Sequence, residues 1–157
     1  MGPARATFPL DIQLPGRKDM MPTRSIEGIE RVFEAVGFET KFHDAEVLSF
    51  RLERGEKPLL GLCLLTPARR GDAEPSEADY IVWIHFEDID DLRLEGFNYQ
   101  NVLQEIVILE GAERTNVRVA GLFGVDCSFS CACGKVVSVK ETTMRVGMPN
   151  LKAEGYI

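Results

Sequence analysis

Histidine and tryptophan are scarce in this 157-residue chain, with two of the first and one of the second. Any imidazole-based catalysis must therefore use His43 or His85, and neither stands in a recognisable catalytic motif. There is no Gly-x-Ser-x-Gly elbow and no Walker-type phosphate loop. No apolar run approaches the roughly 18 residues that a membrane-spanning helix needs. The first twenty residues mix Arg5, Asp11, Arg17 and Lys18 with three prolines, so the unbroken apolar stretch of a signal peptide is missing too. These absences point to the cytoplasm, where Cys63, Cys127, Cys131 and Cys133 are expected as free thiols rather than disulfides. A basic stripe is also lacking: Arg69-Arg70 stands alone in a chain with 18 basic and 25 acidic residues, net −7. Such a balance excludes ordinary nucleic-acid binding and suits either plain solubility or a basic partner.

What is present is an ordinary hydrophobic share of 45%, enough for a single buried core. Residues 1–24 read as an extended, proline-bearing lead-in, 25–141 as one mostly-β domain, and 142–157 as a surface tail. One helix is expected from Ser25 to Val36, with Ser25 as N-cap, Ile26, Ile29, Phe33 and Val36 as its apolar stripe and Gly37 ending it. From Phe42 onward the period shifts to two. Strands are expected around 48–52, 58–66, 80–86, 92–94, 102–109, 116–122, 125–133 and 135–140, separated by turn residues. About eight short strands at this spacing predict an antiparallel β-sandwich-like domain or partly open barrel carrying one N-terminal α-helix.

Three groups of residues could carry chemistry. Cys127, Cys131 and Cys133 share a strand parity with Phe129, but C-x-C spacing is not a zinc knuckle, so we expect buried, reduced, metal-free core thiols. His43-Asp44, with Glu46 two positions on, could act as base or ligand, or could simply start a strand, with Asp44 bonding nearby amides and His43 packing on Phe42. Acids cluster in two turns expected to be exposed, one with Asp72, Glu74, Glu77 and Asp79, the other with Glu87, Asp88, Asp90 and Asp91. They lack the spacing of a calcium loop. Asn98 and Asn101, around Tyr99-Gln100, either satisfy turn backbone or line a contact surface.

The run Phe42-His43-Asp44-Ala45-Glu46-Val47 resembles the leading motif of a family of small bacterial domains. Further matching pieces are Phe86 to Leu94, Gly96-Phe97-Asn98, Asn101-Val102, Gly124-Val125, Phe129 and Val137 to Val139. Together, across about Ser25 to Lys140, they resemble the mostly-β immunity protein 50 group of polymorphic-toxin systems. The resemblance implies a cytoplasmic protein that neutralises a cognate toxin by binding it, without catalysis and without a cofactor. His43, Asp44, Glu46, Asn98 and Asn101 are the family-motif residues, whose role the resemblance leaves open.

The acidic balance fits a basic toxin. Of the two acidic turns, the one with Glu87, Asp88, Asp90 and Asp91 is the expected contact region, because Phe97 and Tyr99 follow it and could supply the aromatic anchor. The alternative is a small-ligand or metal-binding β domain using His43, Asp44 and the thiols.

Overall fold

Alternating apolar and polar residues become strands wherever one face can be buried, and among the described residues they form eight. A computed structural model describes residues 25–68 and 79–143. One helix, α1 (Ile29–Val36), precedes β1 (Glu46–Glu53), β2 (Leu59–Thr66), β3 (Asp79–Glu87), β4 (Asp90–Glu95), β5 (Val102–Glu110), β6 (Thr115–Phe123), β7 (Asp126–Cys131) and β8 (Cys133–Thr142). They make a single antiparallel sheet in the order β4-β7-β6-β5-β1-β2-β3-β8, which is not closed: β4 and β8 are its ends. The predicted mainly-β antiparallel fold with one N-terminal helix is the one observed.

The sheet divides into two four-stranded halves. Within each half the ladders are long, but β5 and β1 share the single residue pair Glu46/Val102. The main core draws on both halves, with Leu60, Leu62 and Leu64 of β2, Val82, Ile84 and Phe86 of β3, Leu103 and Ile106 of β5, and Cys127, Phe129 and Cys131 of β7. Phe86 meets Phe129 edge-on, ring centroids 4.9 Å apart, a geometry worth about 0.5–1.5 kcal/mol beyond its buried area. Strand β2 is apolar on both faces. Its Cys63 and Leu65 join Leu48, Ile81 and Trp83 in a second, smaller cluster on the reverse of the sheet.

The helix starts later than expected. Glu27 bridges in parallel to Lys135, donating its N–H to the Gly134 carbonyl at 2.9 Å and accepting the Val136 N–H at 2.8 Å. Gly28 then turns left-handed (φ 78°) and caps the helix, so Ser25 lies outside it. Backbone pairing to β8 takes precedence over the serine cap. Ile26, Ile29, Val32 and Val36 are buried, Phe33 packs beside them, and Gly37 closes the helix as predicted.

Two further differences affect the candidate sites. The expected strand 125–133 breaks at Ala132, whose N–H donates to the Glu87 carbonyl at 2.9 Å. Cys133 therefore opens β8 and is exposed, while Cys63, Cys127 and Cys131 are buried. Asp79, expected in an exposed turn, is buried as the first residue of β3, with Oδ1 accepting the Ala68 N–H at 3.3 Å. Its companions Asp72, Glu74 and Glu77 lie outside the described residues. Strand β8 also carries the fold to Thr142, which is buried; the rest of the expected tail and the lead-in 1–24 are outside the described residues.

Candidate interaction surface

The motif residues meet where the two halves join. Lys41 accepts the Ile106 N–H, Leu103 accepts the Asp44 N–H, Ala45 accepts the Leu103 N–H, and Asn101 accepts the Val47 N–H, all between 2.8 and 3.0 Å. Reaching these partners requires left-handed backbone at two non-glycine residues, Phe42 (φ 65°) and Asp44 (φ 63°). The Thr40 hydroxyl supports the bend by accepting the Phe42 N–H at 2.8 Å. Phe42 is driven fully into the core, whereas His43 turns outward and its Nδ1 bonds the Gln104 carbonyl at 2.9 Å. A carbonyl can only accept, so Nδ1 carries the proton and Nε2 lies 3.5 Å from the Asp44 carboxylate. The expected packing of His43 on Phe42 is thus replaced by a polar tie across the seam. Glu46 is buried as the first residue of β1.

Beyond the seam, the chain from Gly96 to Asn101 forms a tight turn. Asn101 Oδ1 accepts the Asn98 N–H at 2.9 Å, and its Nδ2 donates to the Asn98 carbonyl at 2.6 Å. Asn98 in turn accepts the Gln100 N–H at 2.8 Å and donates to the Gly96 carbonyl at 3.1 Å. Between the two asparagines stands Tyr99, 95% exposed. The turn locks against a second one: Gly96 (φ 69°) and Gly124 (φ 76°) approach so closely that a Cβ on Gly96 would collide with the Gly124 carbonyl. A Cβ on Gly124 would strike the Gln100 carbonyl and lie 2.7 Å from Asn101 Oδ1. Phe97, itself exposed, rests edge-on against Phe50 with centroids 5.7 Å apart, and Phe123, beside Gly124, is 59% exposed.

The four acids of the expected contact region separate into two pairs. Glu87 is engaged by Lys135 Nζ at 3.1 Å, and Lys135 together with the Cys133 thiol lowers its pKa. Asp88 is held by Arg114, which also donates to the Asp88 carbonyl and to Ser130 Oγ. Asp90 and Asp91 are exposed on edge strand β4 and hold no ion pair among the described residues; Asp90 accepts the Asp91 N–H at 2.9 Å. Phe97 and Tyr99 follow the far end of β4, a strand about 20 Å long. Sequence proximity therefore brings the acids and the aromatics to one strand but to opposite ends of it.

Among the described residues no group of three or more His, Cys, Asp or Glu side chains is placed to hold a metal ion. A cavity of about 140 Å³ beside Cys131 and Cys133 is well below the roughly 300 Å³ at which ligand pockets begin. An open depression of about 550 Å³ is lined by Phe38, His43, Asp44, Pro67 and Ala68, with two ionisable groups on its wall. Burial pushes the Cys63 and Cys127 thiols up to about 12 and Cys131 up to about 11, which keeps them protonated and unreactive. No helix among the described residues is long and apolar enough to cross a membrane.

The chain is a mainly-β domain built on one open antiparallel sheet, with Phe97, Tyr99 and Phe123 exposed on and beside its interlocked turns. The family model for immunity protein 50 matches residues 27–144, and the chain belongs to that family. No curated protein and no solved structure matches it. The match spans the helix, all eight strands and the seam. Sequence reasoning missed Phe123, because a strand-end phenylalanine gives no sign that its side chain stays outside.

Proposed function

We propose that this protein neutralises a cognate bacterial toxin in the cytoplasm by binding it directly, without catalysing a reaction. Membership of the immunity protein 50 family is the observation that carries this reading. Two physical features agree with it. The net charge of −7 favours encounter with a basic toxin, and Asp90 and Asp91 are the acids of their cluster left free to contribute. Phe97 and Tyr99 offer the aromatic contact area that protein interfaces favour. Glu87 and Asp88 serve that role less well, being held by Lys135 and Arg114.

The test pairs this chain with the toxin domain encoded beside its gene. Co-expression should restore growth to cells making the toxin, and the purified proteins should form a stoichiometric complex. Absence of both protection and complex would refute the reading. The metal or small-ligand alternative has no comparable support, since neither His43 nor the thiols belong to a ligating group among the described residues.

A further inference from the structure

We infer that the interlocked turns bearing Phe97, Tyr99 and Phe123 form the docking ledge for the toxin, with Tyr99 as its central anchor. The inference rests on the toxin-binding reading above and adds to it the place and the chemistry of contact.

A tyrosine with 95% of its surface in water gains nothing for the fold. The molecule nevertheless fixes its backbone with four hydrogen bonds between residues 96 and 101. It then braces that turn against Gly124 at a spacing only glycine permits. Holding an aromatic side chain out from a rigid turn lowers the ordering cost of binding through it. Phe50 packs edge-on against Phe97, and the exposed Phe123 ends β6 next to Gly124 of the bracing turn, so the apolar surface is continuous with that scaffold.

The surrounding charges indicate what the ledge fits. Arg51 is paired with Glu53 at 3.1 Å and Arg118 with Asp126 at 3.2 Å, so these residues present little net charge. Along β4, Glu95 borders the ledge, Arg93 stands one exposed position further along the same face, and Asp90 and Asp91 lie at the far end; none of the four holds an ion pair among the described residues. The complementary surface on the toxin is an apolar socket for Tyr99 bordered by lysine or arginine on the side that meets β4.

The experiment is a binding-kinetic series against a catalytically inactive form of the toxin domain encoded beside this gene. Tyr99→Ala should raise the dissociation rate about 30-fold or more and Phe123→Ala about tenfold. Both side chains are exposed, so thermal midpoints should stay at the wild-type value. Glu87→Gln and Asp88→Asn should leave the dissociation rate unchanged. If the wild type binds while Tyr99→Ala and Phe123→Ala dissociate as it does, the ledge is overturned and the functional reading stands. If the wild type does not bind, the functional reading fails and takes the ledge with it. Concentration-dependent dimerisation of the free protein that Tyr99→Ala abolishes would also overturn the proposal, because a second copy would then be the occupant.

Discussion

The Asn101 side chain grips the backbone of Asn98 from both sides, accepting its N–H and donating to its carbonyl at 2.9 and 2.6 Å. Asn101 is buried although it ends a surface turn, so truncating it removes two part-buried hydrogen bonds that hold the turn backbone. Asn101→Ala should cost about 1–3 kcal/mol in denaturant unfolding. It should also loosen the turn enough for chymotrypsin to cleave after Tyr99 faster than in the wild type. Equal cleavage rates would mean that other contacts hold the turn.

The glycine pair supplies a second prediction. Gly124→Ala meets both a positive φ and a collision with Gln100, so it should destabilise the fold by more than about 1 kcal/mol. Gly55→Ala, in the β1–β2 turn, has no neighbour closer than 3.9 Å and should change stability by less than about 0.5 kcal/mol. Thermal midpoints of the two variants give the comparison directly, and similar losses in both would contradict the argument.

The thiols should differ sharply in reactivity. In the native protein Cys133 should react with a disulfide reagent, while Cys63, Cys127 and Cys131 should react only on unfolding. Burial first, and then the hydrogen bond to Glu87 at 3.5 Å, hold the Cys133 pKa above its ordinary value. Glu87→Gln should therefore increase its thiolate fraction and its rate of modification near pH 8. The three buried thiols also set an alkaline limit. Their folded pKa values lie above the ordinary 9.0, so in the window above pH 9 the folded state keeps protons that the unfolded chain has lost. Stability should be independent of these groups below about pH 8 and fall as pH rises from about 9 towards 12. Replacing Cys127 with alanine should shrink that slope, which pH-dependent urea midpoints would measure.

Charge on the edge strand should act on encounter rather than on residence. Asp90→Asn with Asp91→Asn should lower the association rate for the toxin about threefold to tenfold at low salt. The difference should disappear in 0.5 M salt, where screening reaches down to a few ångströms. Asparagine tolerates the left-handed backbone of Asp91 (φ 54°), so folding should be unaffected. An association rate equal to wild type at low salt would remove these acids from the approach path.

The strands were legible in the sequence because period-two burial is a local property: Cys127, Phe129 and Cys131 alternate with serines, and the structure buries them accordingly. Cys133 kept the same parity on paper. The break at Ala132 was not legible, because it depends on the Glu87 carbonyl 45 positions earlier in the chain. The late start of α1 has the same origin, since the pairing of Glu27 with Lys135 is long-range and silent in a local window. At the candidate surface, Phe97 and Tyr99 were legible as aromatics in a polar turn. That the acids ahead of them would be divided by Lys135 and Arg114 was not, because both cations come from distant strands. The motif His43-Asp44 marked a real feature, though its contacts are those of a joint: His43 ties to Gln104, and the Asp44 backbone to Leu103.

That joint has a kinetic consequence. The two halves are stitched at the seam and crossed again by the chain at 88–89 and at Ala132, two very short links. Held at the seam and by these two links, the described halves are joined in more than one place. Capture would then proceed without a folding or closing step, and its speed would be governed by how often two preformed surfaces meet in the right orientation. The toxin-binding role proposed above is well served by a shape that is ready on arrival.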